Sequence, residues 1–104
     1  MLRSMGQTPV VRAGEDSRVT ALREAVSRLR RELAVYPSEF PERAIAEDEL
    51  AALQVMANSG TPELRRLRRS LLLIAGSAGS VSALSGGLAQ VRRAVELFGQ
   101  LPVD

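Results

Sequence analysis

RRLRRSLLLIAGSAGSVSALSGGLAQVRR, residues 65–93, is the stretch on which the reading of this chain turns. Between the arginine pairs at its ends, residues 70–91 run 22 positions without a charge. Roughly 20 apolar residues span a bilayer as a helix, so the length alone admits a membrane segment. The composition argues against it. The segment holds five Ser and four Gly, its apolar residues keep to a helical stripe instead of covering every side, and no aromatic belt flanks it. The other reading is a helix that comes very close to a second helix. Ala75, Gly79, Ala83 and Gly87 recur at every fourth position, and Gly76 and Ser80 form a second row beside them. Each glycine costs about 1 kcal/mol of helix propensity relative to alanine, and small residues at this spacing let two backbones approach closely.

Working outward, Leu64, Leu67, Leu71, Ile74, Ala78 and Val81 follow one another at steps of three and four. They predict a helix over 62–84, started by Thr61 as cap, Pro62 in the first position and Glu63 behind it. Ser85-Gly86-Gly87 is expected to break that helix. A last helix over 87–98 follows on Leu88, Val91, Val95 and Phe98; a single helix kinked at Gly86 is the alternative. Upstream, Val19, Leu22, Val26, Leu29, Leu33 and Tyr36 make a heptad stripe. It predicts a helix over 17–36, capped by Asp16 or Ser17 and ended by Pro37. Between these lies a second helix, expected from Pro41 and Glu42 to about Asn58, with Ala46, Leu50, Leu53 and Ala57 inward, Ile45 and Met56 beside them, and Asn58-Ser59-Gly60 as its stop.

The fold class that follows is all-α: a small antiparallel bundle of three to four helices, with dimerisation available to complete it. Short connections make neighbouring helices antiparallel, so the first three should run up, down, up. Residues 17–99 form the helical domain, 1–16 a flexible lead-in and 100–104 a tail. The lead-in has no apolar stretch of signal-peptide length, and a cytoplasmic location is the expectation.

The chemical inventory is sparse. The 104 residues include no Cys and no His, and all 14 basic residues are Arg. Disulfides, thiol and imidazole chemistry and lysine Schiff bases are therefore excluded. Glu47-Asp48-Glu49 is a poor metal site, because consecutive helical side chains point about 100° apart. No catalytic residue, cofactor site or metal ligand is assigned, and the expectation is a protein that is not an enzyme. The net charge is +2, spread unevenly. Residues 1–36 carry +3, residues 37–60 carry −4 and residues 61–104 carry +3. Arg65, Arg66, Arg68 and Arg69 are expected to pair with Glu47, Asp48 and Glu49 inside the fold or across a subunit interface. An acidic protein partner is the next reading. Nucleic acid comes after it, since no aromatic is interleaved for base stacking.

PSEFPERAIAEDELAAL (37–53) and LRRSLLLIAGSAGSVSALSGGLAQVRRAVELF (67–98) resemble a family of short helical proteins of high-GC actinobacteria with no assigned function. The resemblance covers roughly residues 17–99, is most specific in the glycine-serine segment, and implies no functional residue. The general character is also similar to small helical modules that accompany bacterial conflict-system effectors, which would imply an adaptor role.

The functional expectation is a soluble helical interaction or adaptor protein that self-associates, most simply as a dimer. Its interface would use the heptad face of Val19, Leu22, Val26, Leu29 and Leu33 and the small-residue face of Ala75, Gly76, Gly79 and Ala83. A membrane-associated protein using residues 70–91 is the first alternative, and an arginine-mediated nucleic-acid binder the second.

Overall fold

The computed structural model describes residues 16–100; the expected lead-in and tail lie outside them, apart from Asp16 and Gln100. Helix α1 spans Ser17–Val35, α2 Arg43–Ser59, α3 Leu64–Ala78 and α4 Ser85–Glu96. One-turn 3-10 segments, Ser82–Leu84 and Leu97–Gly99, precede and follow α4. No strand occurs among the described residues. The helices form a ring in which α1 packs on α2, α2 on α3, α3 on α4 and α4 back on α1. Each neighbour is antiparallel: Arg28 bonds to Gln90 in the middle of α4, while Arg18, ten residues earlier, lies over Phe98 just beyond its end. The fold is an all-α, up-down-up-down four-helix bundle.

The core is aliphatic. Leu22, Val26 and Leu29 of α1, Leu50 and Leu53 of α2, Leu67 and Ile74 of α3, and Val91 and Val95 of α4 are essentially sealed from solvent. Burying each such side chain contributes about 1.5–3 kcal/mol, which outweighs the weak propensities of a glycine-rich sequence. The heptad residues Val19, Leu22, Val26, Leu29 and Leu33 all face this core and are at most 3% exposed. They pack the chain onto itself.

Helix α1 begins as expected: the backbone N–H of Arg18 donates to Asp16 Oδ1 at 2.9 Å. Its end is held by a residue the heptad reading left out. Arg43 donates to the carbonyls of Tyr36 and Ser38 at 3.0 Å, and to that of Leu33. A cation belongs at a helix C-terminus, where the carbonyls are unpaired. Arg43 also pairs with Glu47 at 3.2 Å. Tyr36 and Phe40 pack edge to face across the loop. This loop moves the start of α2. Pro41 and Glu42 form a turn, in which Arg43 N–H donates to Phe40 O at 3.1 Å, and the helix begins at Arg43. Its stop is the expected one, with Gly60 in the left-handed region at φ 82°.

Helix α3 starts at Leu64, capped through the backbone of Glu63; neither Thr61 nor Pro62 takes the predicted role. The larger correction is its end. It stops at Ala78, and the chain turns at 79–80 and is extended at Val81 (φ −89°, ψ 104°). Ser85, Gly86 and Gly87 lie inside the first turn of α4 instead of breaking a helix. Leu84 enters the core as the last residue of the 3-10 turn. Residues 70–91 are therefore two helix ends and a turn. No helix among the described residues is long and apolar enough to cross a membrane. The supposed row Ala75, Gly79, Ala83, Gly87 is divided among α3, the turn, the 3-10 segment and α4. It is not a ridge: Gly76, Gly79 and Ala83 are exposed, Ala75 is half-buried and only Gly87 is buried.

Candidate interaction surface

The glycines of this segment do three different things. At Gly87 a Cβ would collide with the Glu32 carboxylate and stand 3.0 Å from Leu29 Cδ1, so the residue admits α1 against α4. At Gly79 a Cβ would strike the Ala75 carbonyl oxygen and lie 3.2 Å from its carbon, so the requirement is set by its own chain's turn. At Gly76 nothing stands within 4 Å, and the glycine is spatially unnecessary.

The α1–α4 side is closed by polar groups as well. Arg28 donates to Glu32 Oε2 at 2.9 Å and to Gln90 Oε1 at 2.7 Å, tying the two helices together. Glu32 Oε1 has no hydrogen-bond partner among the described residues. It lies by Gly87 in the first turn of α4, where the helix dipole favours negative charge. At the other end of the same seam, Asp16 holds Arg18 at 2.6 Å and the guanidinium covers the Phe98 ring at 4.9 Å. Glu96 pairs with Arg68 at 2.7 Å, joining α4 to α3. Hydrogen bonding to these arginines lowers the carboxyl pKa values of Asp16 and Glu96 below the ordinary range.

The α2–α3 side is different. Four large aliphatics of these two helices face solvent: Ile45 is 43% exposed, Val55 68%, Leu72 73% and Leu73 40%. Between the two helices runs a groove lined by Glu49, Ala52, Val55 and Met56 from α2 and by Arg66, Arg69, Ser70 and Leu73 from α3. The run Leu71-Leu72-Leu73 explains part of this. Consecutive helical residues are about 100° apart, so three leucines cannot share one core face. Leu71 is buried and the other two point outward.

Among the described residues, the arginine cluster makes no ion pair with Glu47, Asp48 or Glu49. Arg68 pairs with Glu96, and Glu47 pairs with Arg43. Arg65, Arg66 and Arg69 are exposed and make no ion pair among the described residues. The antiparallel register is the reason. It leaves Glu49 as the one acid of the three that shares a groove with Arg66 and Arg69, with no ion pair to either. Asp48 turns toward a second groove, with Arg30 and Ala34 of α1. No group of three or more Asp or Glu residues could hold a metal ion among the described residues.

Sequence reasoning missed Val55, Leu72 and Leu73 as surface residues and Arg43 as a cap. Each had a signal. The leucines are surplus to the core stripe, and an arginine in the first turn of a helix opposes its own dipole, so its charge serves something else.

Residues 12–99 match the model of DUF5955, a family of unknown function. No curated protein and no solved structure matches the chain.

Proposed function

Because the chain belongs to this family of unknown function, its own surface has to supply the functional reading, and we propose that it is a non-enzymatic interaction module that docks through the outer α2–α3 face. The observation that carries this is the placement of its exposed aliphatics. Among the described residues, five large hydrophobic side chains are most open to solvent; Ile45, Val55, Leu72 and Leu73 lie on α2 and α3, and Val35 alone lies elsewhere. The groove between the two helices gathers Val55 and Leu73 with Ala52 and Met56, and exposed apolar surface edged by charge marks interaction sites in small soluble domains. Unpaired arginines at its edge supply orientation and on-rate more than affinity. The absence of Cys, His and Lys from the sequence supports a binding role over a catalytic one.

Photo-crosslinking tests the reading. A benzophenone side chain at position 55 or 72 should give a specific adduct in cells, and one at exposed Arg31 of α1 should not. No adduct from either α2–α3 position would sink the proposal.

A further inference from the structure

We propose that the outer face of α3 and α4 binds the surface of an anionic bilayer, its arginines on the lipid phosphates and Leu72 among the headgroups. The inference goes beyond the docking role of the α2–α3 side and does not depend on it. It starts from how charge is divided between helices. Helix α3 holds four arginines and no acid, and α4 holds two arginines and one acid, Glu96. Two contacts fix how these helices lie against each other. Arg68 pairs with Glu96 at 2.7 Å, and a Cβ at Gly99 would stand 3.4 Å from Leu64 Cδ2. Helical residues three and four apart share a face. Arg65 and Leu72 therefore lie on the same side of α3 as Arg68, and Arg92 lies one turn before Glu96 on α4. One turn on from Arg68 meets one turn back from Glu96, which sets Leu72 level with Arg92.

The face so assembled is basic and open. Arg65 and Arg92 are exposed and make no ion pair among the described residues. Glu96, the one acid of either helix, is held by Arg68. An anionic partner is the complement of such a surface. Leu72 decides which kind. It is 73% exposed and stands between Arg65 and the level of Arg92. At a bilayer, a leucine beside basic residues enters the boundary between headgroups and acyl chains while the cations stay on the phosphates. Against a nucleic-acid backbone the same leucine would face phosphates and gain nothing. Helix α3 also carries no Asn or Gln to read base edges and no aromatic to stack on bases.

Co-sedimentation of the full chain with vesicles tests this. The protein should partition onto vesicles of phosphatidylglycerol and phosphatidylcholine in equal parts, not onto phosphatidylcholine alone, and the binding should weaken as salt rises. Each arginine at an anionic leaflet strengthens partitioning roughly fivefold. Arg65→Gln with Arg92→Gln should therefore weaken it roughly twentyfold, while circular dichroism stays helical. Should that protein fail to fold, Arg92→Gln alone should weaken it roughly fivefold. Leu72→Ser should weaken binding several-fold and leave its salt dependence unchanged, because the lost contribution is apolar. The control removes the same charge elsewhere: Arg30→Gln with Arg31→Gln, on exposed positions of α1, should change partitioning by less than about twofold. Vesicle binding absent at low salt would overturn the inference. So would an equal loss in the α1 control, which would make the attraction a matter of net charge and not of this face. Tighter binding to duplex DNA, lost with Arg65 and Arg92 but indifferent to Leu72→Ser, would overturn the bilayer in favour of nucleic acid.

Discussion

The two sides of the bundle use similar residues to opposite ends. Along α1–α4, leucine and valine point inward, a glycine lets the helices close, and Arg28, Glu32 and Gln90 bridge them. Along α2–α3 the core stripe is equally well buried, yet a second set of aliphatics remains outside it. The lesson is that one apolar stripe per helix suffices for this fold. Helix α1 has only that stripe, apart from Val35 at its end. Helices α2 and α3 carry more apolar surface than the bundle can enclose, and the excess is available for something other than folding.

Truncation should expose this contrast most strongly. Leu29→Ala removes a sealed side chain from the α1–α4 seam and should cost about 2–5 kcal/mol. Leu72→Ala, 73% exposed, should change the stability of the isolated chain by no more than about 0.5 kcal/mol. Chemical denaturation of both variants at low concentration reads the difference directly. Comparable losses would mean that the outer face is part of the core after all.

Gly87→Val probes the closeness of the seam. Its side chain must enter space held by Glu32 and Leu29, and overpacking of this kind costs about 1–3 kcal/mol. For a domain of this size that lowers Tm by roughly 4–8 °C per kcal/mol. An unchanged Tm would show that Glu32 swings away freely and that α1 and α4 are not in close apposition.

Gly79 and Gly76 sharpen the comparison within one helix. Gly79→Ala forces a Cβ onto the Ala75 carbonyl and should destabilise by roughly 1 kcal/mol or more. Gly76→Ala meets nothing within 4 Å inside a helix and should stabilise by up to about 1 kcal/mol. Thermal melts of the pair should therefore move in opposite directions. If both rise, the turn at 79–80 tolerates a side chain and the break in the helix has another cause.

The smallest effect concerns pH. The carboxyls of Asp16 and Glu96 are held below their ordinary range by bonding to Arg18 and Arg68. A carboxylate whose pKa is lower in the folded chain favours folding above its unfolded pKa, near 4, and loses that contribution as pH falls through the folded value. Both groups lie at the surface, so Tm should fall only slightly between neutral pH and about pH 3 on their account. Glu96→Gln should flatten its share of that slope. A slope unaltered by the substitution would mean that the pair with Arg68 is not held in solution.

Much of the architecture could be read from periodicity. The stripes Val19 to Leu33, Ala46 to Ala57, Leu67 to Ala78 and Leu88 to Val95 are local properties of the chain, and a 3.6-residue period shows which face must be covered. Asp16 and Gly60 were equally readable, because capping and a left-handed stop depend on neighbouring atoms alone. The all-α class and the antiparallel order of the helices follow from these. What periodicity does not encode is the partner of each face. Gly79 and Gly87 are the same residue at the same nominal spacing. One caps the end of α3, where a Cβ would meet the Ala75 carbonyl, and the other lies inside α4, where α1 packs against it. Tertiary contact decided that residues 70–91 fold as a hairpin and not as one helix, since burial of Leu84 outweighs the continuity of a single stripe. It also decided that Arg43 caps α1 and that Arg65, Arg66 and Arg69 make no ion pair among the described residues. Only the antiparallel register sets which charges meet, and that register exists only once the core has closed.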